Sequence, residues 1–343
     1  MQRLDPRRIR RQIDVGNPLP GEDPLVVGID VTLPDPSLLS VSPIVFFCVP
    51  GGGLNSRYYD LHVDGDARFS FAAAMAARGI ITVAMDPLGI GASSKPRDGF
   101  NLTPEVVARA AALVCKGVIS ELCAGSFHSS VPPLPELISI GTGHSLGGLL
   151  IVLQQVQWRS FDGVALLGFG TGGLPSALDA ELRSLAGKPD RVREEVVGLA
   201  RARYAEPYFE LPAAGRARAI YGGGAEPRAL DALREARDRV LATASVFAIV
   251  PGSSAPDAAN IDVPVFLAVG DKDMCGPPHE LPASFPGSSD VTLFRLANTG
   301  HTHFVFASAP RLFARMANWA AGVAADISFS AKSPCPSSNP VCA

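Results

Sequence analysis

The chain has 343 residues, of which 47% are hydrophobic and 18% charged, with a formal net charge of −3 at neutral pH. That length suits one large α/β domain with an insertion, or two domains. The near-neutral balance gives no drive toward nucleic acid or an anionic membrane surface, and no apolar run reaches the roughly 18 residues of a membrane span.

Residues 1–24 are rich in Arg and Pro (Arg3, Arg7, Arg8, Arg10 and Arg11 among them) and read as an irregular, solvated N-terminal arm. No apolar segment of signal-peptide type follows the arginines, so a cytoplasmic location is expected. Residues 26–33 alternate as a strand. Residues 43–49 are a continuous apolar run, as expected of a strand buried on both faces, and lead into Pro50-Gly51-Gly52-Gly53-Leu54-Asn55. A helix is expected over 67–78, with Gly79 as its stop. Residues 80–85 form another apolar strand, closing in Asp86-Pro87-Leu88-Gly89-Ile90-Gly91-Ala92-Ser93. Thr103 then caps a helix with Pro104 at its first position, running to about Cys123.

Residues 136–148 contain the central motif. The apolar strand ends in Gly143-His144-Ser145-Leu146-Gly147-Gly148, and a helix with Leu149, Leu150, Leu153 and Val156 at helical spacing follows. This is a G-x-S-x-G elbow, with Ser145 at the tip of a strained strand-to-helix turn. Side chains at 143 and 147 would collide with neighbouring chain, which is why both are glycine. A strand at 163–170 follows. Strands alternating with helices argue a mostly parallel sheet covered on both sides.

Beyond residue 171 strand character fades. Residues 191–204 and 228–243 read as amphipathic helices, with Pro212 and Gly222-Gly223-Gly224 breaking the chain between them, so 171–259 reads as a helical insertion. Strands return at 263–269 and 291–296. A last helix covers about 310–324, and the Pro/Ser/Cys-rich tail from 328 reads as flexible. The six cysteines show no metal spacing. Cys48, Cys115 and Cys123 read as small hydrophobes, while Cys335 and Cys342 could pair only in an oxidising compartment.

A serine hydroxyl needs a base, and the base needs a carboxylate to orient it. The strand 263–269 ends in Gly270-Asp271-Lys272-Asp273, and the strand 291–296 is followed by Asn298-Thr299-Gly300-His301-Thr302-His303. With the elbow and the turn 86–93, these segments occur in the order found in α/β-hydrolases. Over roughly residues 25–325 the chain resembles that superfamily, specifically its capped, esterase-like members. The resemblance implies an α/β-hydrolase core at 25–170 and 260–327, with the insertion as a cap. It implies Ser145 as nucleophile, with the G-x-x-D spacing selecting Asp273 over Asp271 as acid. Gly300 before His301 selects that histidine over His303 as base. Leu146 and Gly52 would supply the oxyanion N–H donors, Gly53 being the alternative to Gly52. Pro50 stands where many relatives carry His, which leaves the second donor open.

Other features read as structural. His144 is an elbow residue, Tyr58 and Tyr59 pack near the glycine loop, and His62, His128 and His279 lie on the surface. The glycines at 141–147 depart from a dinucleotide fingerprint. The expected activity is hydrolysis of a carboxylic ester, lactones included, of a fairly large apolar substrate, without metal or cofactor. Rate should rise with pH through about 6–7 as the imidazole base deprotonates. A carbon–carbon bond hydrolase, a thioesterase or an acyltransferase would carry the same residues. A non-catalytic ligand receptor on the same fold is the alternative of a different class. The oligomeric state is open.

Overall fold

The computed structural model describes residues 6–332, except 20, 22, 212 and 214–223. Arg3, Pro212, Gly222, Gly223, Cys335 and Cys342 therefore lie outside the described residues. In chain order the strands are β1 (Arg7–Asp14), β2 (Val26–Leu33), β3 (Ile44–Val49), β4 (Ile81–Met85), β5 (Ile138–His144), β6 (Gly163–Leu167), β7 (Tyr208–Phe209), β8 (Val240–Leu241), β9 (Val265–Gly270) and β10 (Val291–Leu296). Among the described residues an eight-stranded sheet runs in the order β1-β2-β4-β3-β5-β6-β9-β10, and β7 pairs with β8 in a separate ribbon. β1–β2 and β2–β4 are antiparallel, and the other pairs of the large sheet are parallel.

The apolar runs become buried strands because both faces of the sheet are covered. Every residue of β3 and of β5 is buried. Val45, Phe47 and Val49 enter one core, and Phe46 and Cys48 the other, as the two-residue period of a strand requires. On the first side lie α2 (Pro104–Ala124) and α3 (Leu146–Trp158), preceded in the chain by α1 (Phe71–Ala76). On the second lie α1 and the last helix, Ala309–Lys332. The α2 ends follow the sequence signals: Thr103 Oγ1 accepts the Val106 N–H, and Gly125 closes the helix at φ 69°.

Several expectations are corrected. Residues 7–14 form β1, an edge strand paired with β2 along its length, so the N-terminal 24 residues are not an irregular arm. The arginines hold it down: Arg8 pairs with Asp60, Arg10 with Asp30 and Arg11 with Glu121. The helix expected at 67–78 is a short 3-10 turn, Ala67–Phe69, and then α1, because Ser70 caps a new helix by accepting the Ala73 N–H. β6 stops at Leu167, where Gly168 turns the chain at φ 59°. The last helix continues through 328–332 instead of fraying at 324. Within 171–259 the structure has α4 (Ala180–Ser184), α5 (Pro189–Arg203) and further helices at Pro227–Leu233, Ala242–Ile249 and Ala255–Ala259. The single helix expected over 228–243 is interrupted by β8, since Val240 and Leu241 pair with Phe209 and Tyr208.

Candidate active site

Five loops at the C-terminal edge of the sheet meet around Ser145. The residue sits at φ 52°, ψ −117°, between β5 and α3, and its N–H donates to Leu167 O at 2.7 Å. A Cβ at Gly143 would lie 2.3 Å from Gly147 O, and one at Gly147 2.1 Å from Val49 O. Both obstacles are backbone, so the turn admits only glycine at these places. The helix begins immediately after the serine, which leaves the Leu146 N–H as one of the orphan donors of its first turn.

The acid and base expected from the sequence are joined. Asp273, after β9, and His301, after β10, meet through His301 Nδ1 and Asp273 Oδ1 at 2.7 Å, with side chains 0% and 5% exposed. Asp273 Oδ1 also accepts the N–H of Met274 at 2.7 Å. Burial alone would raise this carboxyl, but the two imidazoles His301 and His303 hold it far below the usual carboxylate range. An ionised acceptor fixes the His301 tautomer: Nδ1 carries the proton and Nε2 keeps a lone pair. His301 and Ser145 line the same cavity, and no hydrogen bond joins Ser145 Oγ to His301 in this conformation. Such contacts commonly tighten only when substrate is seated.

Asp271 is elsewhere. It is exposed and accepts the N–H groups of Asn298 and Thr299 at 2.9 and 3.1 Å, tying the two loops together. His303, which the sequence reading set aside as base, also reaches the acid: its Nε2 lies 2.8 Å from Asp273 Oδ2. His144 is buried, and its Nε2–H donates to His301 O at 2.8 Å, so it steadies the main chain at His301. Burial holds His144 well below the usual imidazole range. Tyr58 stacks on Phe304, and the Tyr59 hydroxyl donates to Val49 O at 2.9 Å; both rings are packing groups.

The glycine loop is braced from three sides. Leu54 N–H donates to Gly51 O at 3.1 Å, which orients the Gly51–Gly52 peptide. Asp238 N–H donates to Gly53 O at 2.8 Å, and Asn55 N–H to Ala236 O at 2.9 Å. Behind the loop, Asp86 accepts the N–H groups of Ser56 and Ala92 at 2.7 and 2.8 Å, while Ser93 Oγ–H donates to Asp86 O. The turn 86–93 is thus a clamp on the loop 51–56. A Cβ at Gly91 would strike Asp86 Oδ2 at 2.1 Å.

Gly52, Ser145, Leu146 and His301 open into one cavity of about 250 Å³. Gly53 is not among its lining residues; it faces Leu211 and Val240. The walls come from Leu149, Phe169, Met274 and Cys275 of the sheet layer and from Leu174, Leu211, Val240, Ala248 and Ile249 of the helical segment. Among the described residues, His301 is the one titratable nitrogen that lines it, and no carboxylate does. These wall residues had no signal in the sequence beyond apolarity. A second cleft, of about 360 Å³, lies beside β1 and β2, where Arg8, Arg10, Asp30 and Asp60 already pair with one another. Cys48 and Cys115 are buried free thiols, pushed up by burial, the latter to about 12, and act as packing groups.

The comparisons agree with this architecture. The peroxisomal alpha-beta-hydrolase Lpx1 of Saccharomyces cerevisiae aligns at a TM-score of 0.59 and 15% identity, over 98% of this chain and 93% of that one. Proline iminopeptidase of Mycobacterium smegmatis aligns at 0.56 and 16%, over 93% and 100%. A thermophilic esterase of Thermogutta terrifontis aligns at 0.54 and 15%, over 91% and 99%. These identities speak to fold alone. No curated protein sequence matches. Among the described residues no helix is long and apolar enough to cross a membrane. The family model described as "Alpha/beta hydrolase family" matches residues 46–316, a span that takes in the glycine loop, the elbow and the loops of Asp273 and His301, and on that match the chain belongs to the alpha/beta hydrolase family.

Proposed function

We propose that this hydrolase-family protein is a serine hydrolase that cleaves a neutral, apolar carboxylic ester, open-chain or lactone, through an acyl-enzyme. The observation that carries the reading is the buried Asp273–His301 pair at 2.7 Å, its imidazole opening into the cavity that Ser145 lines. Ser145 Oγ attacks the ester carbonyl carbon while His301 Nε2 takes its proton. The carbonyl oxygen becomes an oxyanion facing the N–H groups of Leu146 and Gly52. Collapse breaks the ester C–O bond, and His301 returns the proton to the departing alkoxide. Water, deprotonated by the same nitrogen, then releases the acid and frees Ser145. Gly52 is preferred to Gly53 as second donor because it, with Leu146, lines the cavity.

Residues 171–259 act as a cap in this reading, since Leu174, Ser245, Ala248 and Ile249 supply one wall above Ser145. Among the described residues that wall is apolar or hydroxylic, which favours an uncharged acyl group. A cavity of about 250 Å³ sits under the usual 300–1,000 Å³ of ligand pockets, so the substrate is of moderate size.

The test is intact-mass analysis after a fluorophosphonate probe, on wild type and Ser145→Ala, with turnover of a p-nitrophenyl ester series alongside. One adduct on wild type, none on the variant, and highest kcat/KM for uncharged mid-length acyl chains are expected. A folded wild type that neither labels nor turns over would remove the catalytic reading in favour of a receptor.

A further inference from the structure

Asp273 receives more than one imidazole needs. Oδ1 accepts His301 Nδ1–H at 2.7 Å and the N–H groups of Met274 and Cys275 at 2.7 and 3.3 Å. Oδ2 accepts His303 Nε2–H at 2.8 Å, and its other donor, the Gly270 N–H, is at 3.5 Å. The carboxylate is fully buried, as is His303. Two histidines only two residues apart therefore grip opposite oxygens of one acid.

We propose that His303 is a positioning residue of the catalytic centre, whose Nε2–H anchors the far oxygen of Asp273 so that the near oxygen stays on His301. This rests on the serine-hydrolase reading above. Without His303, Oδ2 keeps only the long Gly270 contact, and a buried carboxylate oxygen short of donors turns to find another. The turn would carry Oδ1 away from His301 Nδ1. His303 is not a second base. Its Nε2–H is spent on Asp273, and its Nδ1 is buried with no hydrogen-bond partner. The backbone assists: His303 N–H donates to His301 O at 3.1 Å, the oxygen that also takes His144 Nε2–H.

The anchor has an electrostatic consequence. Without it, Oδ1 turns away from Nδ1 and Asp273 gives less support to a protonated His301. The titratable groups facing this cluster are Tyr58 and His144 from the sheet edge and Cys275 from the acid loop. Tyr58 and His144 are buried and Cys275 is partly so, and desolvation pushes each toward its neutral form, so the change falls on Asp273 and His301.

The experiment uses His303→Leu and His303→Gln beside wild type. His303→Leu is expected to lose roughly 10- to 100-fold in kcat with KM unchanged. The acid limb of its kcat/KM profile should move to lower pH, because His301 loses its carboxylate partner. His303→Gln, which places an amide N–H near the same oxygen, should recover most of both. In ¹⁵N-histidine wild type, ¹⁵N–¹H correlation should show a proton on His303 Nε2, the nitrogen that faces Asp273. A His303→Leu variant with wild-type kcat, or with lowered kcat but an unmoved acid limb, overturns the proposal, as does a His303 with no proton on Nε2. If wild type does not label at Ser145 the underlying reading fails with it; labelling with an unaffected variant sinks this inference alone.

Discussion

At the scale of single residues, the two aspartates after β9 show how position separates roles. Asp273 is inside, ionised and gripped by imidazoles, whereas Asp271 is outside and ties backbone N–H groups of the neighbouring loop. Asp273→Asn is expected to lower kcat about 10³- to 10⁴-fold, because an amide donor no longer holds His301 in the productive tautomer. Asp271→Asn should stay within a few-fold, since the amide oxygen still accepts one of the two N–H groups. Steady-state kinetics on the pair decides it; equal losses would mean that the acid has been assigned to the wrong position. The G-x-x-D spacing singled out Asp273, and the structure joins that residue to His301. The part played by His303 was not readable, because the contact joins residues 30 positions apart and nothing local marks a histidine that faces inward.

At the scale of elements, the elbow and β1 stand at opposite extremes of legibility. The elbow announces itself because every constraint on it is local. Gly147→Ala drives a Cβ into Val49 O, a backbone atom that cannot step aside. It is expected to cost more than about 3 kcal/mol, read as a fall in denaturation midpoint. An unchanged midpoint would mean that the tight turn is not populated. β1 hides because Arg11 takes an inward-facing place in the alternation with Ile9 and Ile13. Its guanidinium pairs with Glu121 and lies 4.8 Å over the Phe127 ring, so a charged residue fills a half-buried site. Removing residues 1–14 would uncover the β2 edge. The truncated protein is expected to melt several degrees lower and to self-associate with rising concentration, as light scattering would show. A monomer with the wild-type melting point would reduce β1 to decoration.

At the scale of the whole molecule, buried ionisable groups make stability depend on pH. His144 has a folded pKa far below the unfolded value of about 6.5, because burial penalises its charge and His301 and His303 face it. Its contribution is therefore complete above pH 6.5 and is lost as pH falls below it. Asp273, also depressed, adds a second loss only below about pH 4. Between pH 6.5 and 5, stability should fall by about 1.4 kcal/mol per pH unit more in wild type than in His144→Gln, which keeps the donor but cannot ionise. Denaturant titrations across that range measure the two slopes, and parallel slopes would contradict a neutral buried His144. Local chemistry was enough for the sheet class, the elbow at Ser145 and the choice of Asp273 and His301, which the structure joins: apolar runs, glycine turns and loop motifs act over a few residues, and their physics is written where they stand. Long-range contact alone decided the strand order, the pairing of β1, the division of 228–243 by β8 and the second imidazole on Asp273. Each depends on which distant group offers a hydrogen bond or an apolar face, and no stretch of chain specifies its own partner.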